Sequence, residues 1–449
     1  MESFVKLVNS FLWDKLLIYA LLFTGIYYTL RLGFPQIRKI GEGFKQTFGG
    51  LFKKDKDESK KSGMTSFQAL ATAVAAQVGT GNLAGVATAI ASGGPGAIFW
   101  MWVSAIFGMA TNFGEAVLAQ KYADRSGDEV TGGPAYYLSR GVKSKFLAGF
   151  FAVTIIVALG FVGNMVQSNS ISTAVNSAFS IPKPIVGIIT AICAGLILIG
   201  GMKRIANFAE LVVPFMAILY IVGSAIIIFK NPTAILPAFK SIFQGAFTTK
   251  AAVGGVLGVT MKQAVRYGIA RGLFSNEAGM GSTPHAHAVA NVAHPAQQGM
   301  VAMVGVVIDS LVICTVTALI NIVTGANILG LTGIEMTQKA FELGLGKFGM
   351  VFIAISLFFF AFTTIIGWYF FGEANIKYLF GKKGINIYRI LVLGFIILGS
   401  FMKVDVVWDM ADMFNGLMVI PNLIGLIILA PQASAILKDY DTTFIKQQK

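Results

Sequence analysis

Charge is scarce in this chain. Asp, Glu, Lys and Arg make up only 12% of its 449 residues, about half the share usual in soluble domains. With 55% hydrophobic residues and a mean hydropathy of +0.72, that scarcity excludes a water-soluble globular protein. Cysteine is nearly absent. Cys193 and Cys314 are the only two, each inside an apolar run, so no disulfide framework or thiolate metal site is expected and small core packing is their role. Histidine is also rare. His285 and His287 stand two residues apart and so face different sides of a helix, and His294 lies toward its end, which argues against a metal centre. The net charge of +14 does not indicate nucleic acid, because the basic residues gather in loops between apolar runs. That placement is how membrane proteins are oriented.

What the chain has in abundance is apolar runs of about 20 residues, the length that spans a bilayer. The expected fold class is an all-α polytopic membrane protein with about eleven transmembrane helices. Spans are expected near 13–33, 66–91, 97–121, 147–177, 183–201, 206–229, 262–288, 298–326, 348–378, 385–402 and 407–430. No small-residue cleavage site follows the first run, so it reads as a retained helix. The domain reading is a peripheral N-terminal helix (1–33), a basic loop (34–65), a first five-helix repeat (66–229), an outer connection (230–261), a second repeat (262–432) and a tail (433–449). Within the outer connection, 244–258 reads as a surface or re-entrant helix. Loop 34–65 carries Arg38, Lys39, Lys45, Lys53, Lys54, Lys56, Lys60 and Lys61 against Glu42, Asp55, Asp57 and Glu58. The positive-inside rule then places the N-terminus outside and the C-terminus in the cytoplasm of a multi-pass cell-membrane protein. An odd number of spans per repeat inserts the two repeats in opposite senses.

Two of the expected spans are interrupted. Gln77-Val78-Gly79-Thr80-Gly81-Asn82 breaks the first helix of one repeat. Phe274-Ser275-Asn276-Glu277-Ala278-Gly279-Met280-Gly281 breaks the first helix of the other. Unpaired backbone groups cost several kcal/mol each in hydrocarbon, so such breaks persist only inside protein or beside a watery cavity. A matching pair of breaks points to a transporter site at the midplane. In the first break, exposed N–H groups suit a carboxylate and exposed carbonyls suit a hard cation. Thr80, Asn82 and Gln77 add neutral polar groups; a small-residue packing seam explains the glycines but not the amides. In the second break, Arg271, Asn276 and Glu277 lie in an apolar stretch, where ionisable residues are costly and functional by default. Glu277 is suited to three tasks: receiving an ammonium, holding the unwound backbone, or taking a proton.

Further polar groups fall mid-span. Thr363 and Thr364 are placed to complete a cation site or to back-bond to their own helix. Trp368 stands one turn beyond Thr364, where its ring would shrink a pocket or simply pack. The stretch Asn164-Met165-Val166-Gln167-Ser168-Asn169 glues helices or lines a site. Asp309 and Glu115 read as coupling residues or as paired structural carboxylates. Neither a repeated filter nor a ring of like charge supports a channel. No Ser-His-Asp set or metal cluster at midplane depth supports an enzyme.

The run Gly268-Ile269-Ala270-Arg271-Gly272-Leu273-Phe274-Ser275-Asn276-Glu277-Ala278-Gly279-Met280-Gly281-Ser282-Thr283-Pro284-His285-Ala286-His287-Ala288 resembles the signature of the sodium:alanine symporter family. Gln77–Asn82 and the Gly132-Gly133-Pro134 loop are similar to that family too. The resemblance implies a LeuT-like five-plus-five inverted repeat with one extra N-terminal helix. It also implies Na⁺-driven uptake of alanine or glycine, with no organic cofactor, no catalysis and the lipid bilayer as surroundings. By the resemblance, Na⁺ would meet the carbonyls of Ala75, Val78 and Phe360 and the hydroxyls of Thr363 and Thr364. The substrate would meet the first break at Gln77, Gly79, Thr80, Gly81 and Asn82 and the second at Phe274, Ser275, Asn276 and Glu277. Met165, Asn169, Thr364 and Trp368 would complete its enclosure. The same fold driven by protons, through Glu277 or Asp309, is the alternative.

Overall fold

The computed structural model describes residues 2–49, 63–126, 129–247 and 260–444. Among these there is no β-strand, and only two isolated bridges, Met64 to Ala290 and Asp124 to Thr131. We name the principal helices α1 (Ser3–Arg31), α2 (Ile40–Phe48), α3 (Ser66–Gln77), α4 (Gly81–Gly93), α5 (Gly96–Tyr122), α6 (Lys145–Phe179), α7 (Lys183–Leu198), α8 (Gly201–Lys230), α9 (Pro232–Phe247), α10 (Met261–Asn276), α11 (Pro284–Ala288), α12 (Pro295–Val323), α13 (Gly333–Leu345), α14 (Lys347–Phe380), α15 (Ile385–Phe401) and α16 (Val404–Asp439). Seven described helices are long and apolar enough to cross a membrane, or eight when α3 and α4 count as one bent span. Each range expected to span contains helix, but the eleven spans expected are not all matched by helices of spanning length and hydropathy among the described residues.

Burial divides the helices into two kinds. Residues 69–87, 162–174, 271–290 and 360–376 are buried without interruption. A helix covered on all sides belongs at the centre of a bundle. By contrast α7 exposes Ile185, Ile188, Ile192 and Leu196 while burying Val186, Thr190 and Ala194, the one-sided pattern of a helix facing apolar solvent. The two broken helices therefore sit at the middle, flanked by α6, α12 and α14.

Both breaks have local causes. Helix α3 starts on a capping box between Thr65 and Gln68, which satisfies two of the free N–H groups at its start. It ends at Gln77, and α4 departs at 49°. Helix α10 starts on a matching box between Thr260 and Gln263 and ends with Glu277 at φ +57°. Gly279 and Gly281 follow at φ +86° and +84°, a region that glycine enters without steric cost. The chain resumes helix at Pro284, whose fixed φ suits a first turn. Helix α4 packs along α10 and α3 lies beside α11, so the broken helices run antiparallel.

Several boundaries differ from the sequence reading. Helix α1 starts about ten residues earlier than 13–33, because Asn9 and Trp13 donate side-chain bonds to Asp409 O and Asp412 O of α16. The basic loop contains α2, seated so closely that a Cβ on Gly43 would lie 2.6 Å from Met300 O; Lys53 to Lys61 fall outside the described residues. Helix α9, begun by Pro232, precedes and overlaps the start of the surface helix expected at 244–258, of which residues 248–258 lie outside the described residues. Helix α13 was not expected. It buries Met336, Ala340 and Phe341 at helical spacing, too short an apolar face to register as a span. The second broken helix resumes for only five residues. Helix α16 continues through Pro421 and Pro431 well past 430, and a further turn reaches Phe444, so most of the expected tail is helical.

Candidate functional site

The two breaks meet. Gln77 Nε2 donates to Asn276 O at 2.7 Å, tying the end of α3 to the end of α10. A Cβ on Gly81 would stand 3.0 Å from Ser275 Cα. Any larger residue there would crowd the second break.

On one side of the first break lies a cage of oxygens. Thr364 Oγ1 of α14 is 3.0 Å from Ala75 O, 3.5 Å from Val78 O and 3.0 Å from Phe360 O. Carbonyl and hydroxyl oxygens in this grouping are hard ligands of the kind alkali and alkaline-earth cations take. The single hydroxyl proton has these three carbonyls as its possible acceptors in this structure. Thr363, its neighbour, also bonds Phe360 O, at 2.9 Å, but lies against Met216 Sδ of α8, so only Thr364 of the two reaches α3 and the first break.

On the other side the free N–H groups of the break are held by side chains. Gly79 N donates to Asn82 Oδ1 at 2.9 Å, and Thr80 N to Gln167 Oε1 at 3.2 Å. Two side chains at this point each keep a buried atom without a partner, Thr80 Oγ1 and Gln167 Nε2, and Gln77 Oε1, which lies toward Gly305 of α12, is a third. Buried groups left unpaired cost about 1–3 kcal/mol each. The pair at Thr80 and Gln167 marks a place where a polar guest would be satisfied.

Three carboxylates are fully buried around the breaks. Asp309 of α12 receives Asn82 Nδ2 at 2.6 Å, Ser275 Oγ at 3.0 Å and Ser310 Oγ at 2.8 Å, so it joins both breaks. Asn276 Nδ2 donates to Ser310 Oγ at 3.0 Å. Glu115 of α5 receives Gly279 N and Gly281 N, each at 2.9 Å, and Asn422 Nδ2 at 2.6 Å. Glu277 receives Ser282 Oγ and Trp368 Nε1, each at 2.5 Å. All these partners are neutral donors. The buried cation nearest in sequence, Arg271, is spent on Asp412 through two bonds of 2.8 and 2.7 Å.

Aromatic rings close the site at one end. Phe274 stands 6.0 Å from Trp368 edge-on and 5.0 Å from Trp408. Trp408 in turn lies 5.1 Å from the Arg271 guanidinium. Met165 and Asn169 occupy the flank of α6 toward α15: Asn169 Nδ2 bonds Gly399 O and Met402 O, and Gly399 packs on the Met165 backbone. The side chain of α6 that reaches the first break is Gln167, which sequence reasoning left within a polar stretch. Its signal was spacing: two residues from each of Met165 and Asn169, it faces the opposite side of the helix. The histidines are apart. His285 bonds Ser282 O and Asn375, His287 bonds Gln298, and His294 bonds Asp439.

Residues 1–449 fit the family model described as the sodium:alanine symporter family. The chain belongs to that family. It is thus a multi-pass membrane transporter and not an enzyme. It is 44% identical over 438 residues to "Sodium/alanine symporter AgcS" of Methanococcus maripaludis, covering 95% of this chain and 94% of that one. Its identity to "Probable sodium/glutamine symporter GlnT" of Bacillus subtilis is also 44%, covering 98% and 91%. "Amino-acid carrier protein AlsT" of the same organism is 42% identical, covering 98% and 93%. Among solved structures, this symporter-family chain shares its fold with a manganese transporter of Eremococcus coleocola. The TM-score is 0.51 at 15% identity, over 83% of this chain and 78% of that one.

Proposed function

We propose that this transporter couples inward Na⁺ movement to uptake of a small neutral amino acid, alanine or glycine, by alternating access. The observation that carries the reading is the Thr364 hydroxyl among the carbonyls of Ala75, Val78 and Phe360. Na⁺ takes the centre of that cage, with Thr363 at its edge. The substrate carboxylate takes the N–H groups of Thr80 and Gly81, displacing the Gln167 amide that now holds Thr80 N. Its ammonium goes to Gln77 Oε1 and the carbonyls of the second break, near Ser275, Asn276 and Glu277. Trp368 and Phe274 limit the side chain. The relatives named for alanine and for glutamine share the family, so side-chain size is set by such lining residues rather than by the fold. The N-terminus lies outside and the C-terminus in the cytoplasm, following the basic loops.

A second reading, coupling to protons, is favoured by one feature: Asp309 joins both breaks and is faced by neutral donors. One measurement separates the two. Alanine binding to the purified protein is followed in NaCl and in choline chloride at fixed pH. Saturable binding only in NaCl supports Na⁺ coupling. Binding indifferent to Na⁺ overturns it in favour of protons, and no binding in either salt overturns the substrate class.

A further inference from the structure

The level at which α1, α5 and α16 leave the hydrocarbon is marked by their polar contacts. Helix α1 closes on Arg31, whose main-chain O accepts Ser434 Oγ of α16 at 3.3 Å. Helix α5 closes on Lys121 and Tyr122, and both side chains donate to Gln432 Oε1 of α16, at 2.7 and 2.6 Å. Arg, Lys and Tyr at helix ends mark the membrane–water interface, so Gln432 and Ser434 lie at headgroup depth. Toward the hydrocarbon, α16 exposes Ile424 and Ile428. Pro431 and Ala435, also exposed, continue that face at intervals of three and four residues. The stripe that meets lipid tails therefore runs on into the headgroup layer.

There it enters a groove of about 630 Å³ between α16, Lys121 of α5 and His294 just before α12. Pro431, Ala435 and Ile436 give the groove an apolar floor, and Lys121 and Asp439 line it with opposite charges. The Lys121 ammonium is bonded to Gln432 and stands 5.5 Å from the centre of the Tyr122 ring, with no acidic group paired to it among the described residues. An ammonium has three donors, so two are left for a ligand. Asp439 is 59% exposed and receives His294 Nε2 at 3.2 Å and the Thr443 hydroxyl. A carboxylate accepts about four bonds, so it can take an ammonium as well. Gln432, which holds Lys121, and Asp439 are seven residues apart, about 10 Å along a helix. A phosphate beside Lys121 and an ammonium beside Asp439 fit that interval when a short carbon link joins them. A purely anionic headgroup would instead set its charge against Asp439, and like charges brought together are rejected.

We infer that this groove holds the headgroup of an aminophospholipid, phosphatidylethanolamine, drawn from the surrounding leaflet. Its phosphate rests on Lys121, its primary ammonium on Asp439, and its glycerol and first chain carbons on Pro431 and Ala435. So seated, the lipid bridges α5, α16 and the start of α12. The inference does not depend on which ion or solute is carried.

The test is native mass spectrometry of the purified full chain titrated with phosphatidylethanolamine, phosphatidylglycerol or phosphatidylcholine of matched acyl chains. Wild type should bind phosphatidylethanolamine most tightly. Lys121→Ala should weaken that binding about five-fold, the worth of one lysine at a lipid surface. Asp439→Asn should abolish the preference over phosphatidylglycerol, because the ammonium loses its partner while the phosphate keeps Lys121. Ala435→Trp fills the floor and should displace the lipid. The Tm of each variant in lipid-free detergent should match wild type. Equal affinity of wild type for the three lipids overturns the inference, and a preference for phosphatidylglycerol overturns it in favour of an anion site. Binding unchanged in Lys121→Ala and Ala435→Trp overturns the placement. Loss of binding accompanied by a lower Tm in all three variants overturns it too, because the lipid then follows the fold.

Discussion

Thr364 shows how much a single hydroxyl carries. It reaches carbonyls of α3 and of the first break from a third element, α14. Removing it takes one oxygen from the cage and leaves the main-chain ones. Loss of one such interaction is worth about 1–3 kcal/mol, or roughly a 5- to 150-fold change in an equilibrium. Thr364→Ala is therefore expected to raise the Na⁺ concentration for half-maximal uptake by at least about five-fold, and Thr364→Ser to restore it. Uptake with unaltered Na⁺ dependence in Thr364→Ala would refute the assignment. The sequence named both Thr363 and Thr364, because two hydroxyls side by side look equivalent in a string. On a helix they point about 100° apart, and only the fold shows which one turns to the break. Gln167 was hidden for the opposite reason. It sits among Asn164, Ser168 and Asn169, and composition does not rank one amide above another. Its role depends on α6 bringing it to Thr80 of the first break, a contact between distant parts of the chain.

At the scale of elements, the breaks were legible and several helices were not. Glycine and amides inside a continuous apolar run contradict the local rule for a lipid-facing helix, and that contradiction is visible without a structure. Helices α2 and α13 carry apolar residues at helical intervals among polar ones, so no continuous run announces them. The end of α16 was masked by Pro421 and Pro431, which signal a stop but are accommodated here inside the helix. What fixes the second break is Glu115, from an element remote in sequence. Its two oxygens receive Gly279 N and Gly281 N separately. A glutamine in its place keeps the shape but offers one acceptor where two are needed. Glu115→Gln should thus cost about 1–3 kcal/mol, seen as a lower Tm of the purified protein. It should also lower the maximal rate of uptake. A Tm equal to wild type would show that the break holds itself.

Across the whole molecule, the segment that follows α1 is clasped to the end of α16. Tyr440 bonds Glu42 of α2, Lys39 meets Asp441 at 2.6 Å, and His294 packs 5.2 Å from both Tyr440 and Phe444. Magnitudes decide which of these matters. Exposed ion pairs are worth about 0–1 kcal/mol, and Asp441 is 31% exposed. Truncating a buried aromatic ring costs about 3–5 kcal/mol, and Tyr440 is 2% exposed. In thermal unfolding, Tyr440→Ala should lower Tm clearly more than Asp441→Asn does; equal shifts would assign the clasp to charge rather than packing. None of this was legible beforehand, because it needs residues about 400 positions apart. The aromatic column has a different consequence. The chain has five tryptophans, and two of them, Trp368 and Trp408, flank Phe274 at the start of the second break. One indole N–H is bonded to a buried carboxylate and the other ring lies beside a guanidinium. Indole emission is sensitive to such neighbours, so the protein carries its own optical reporter on the route its solute would take.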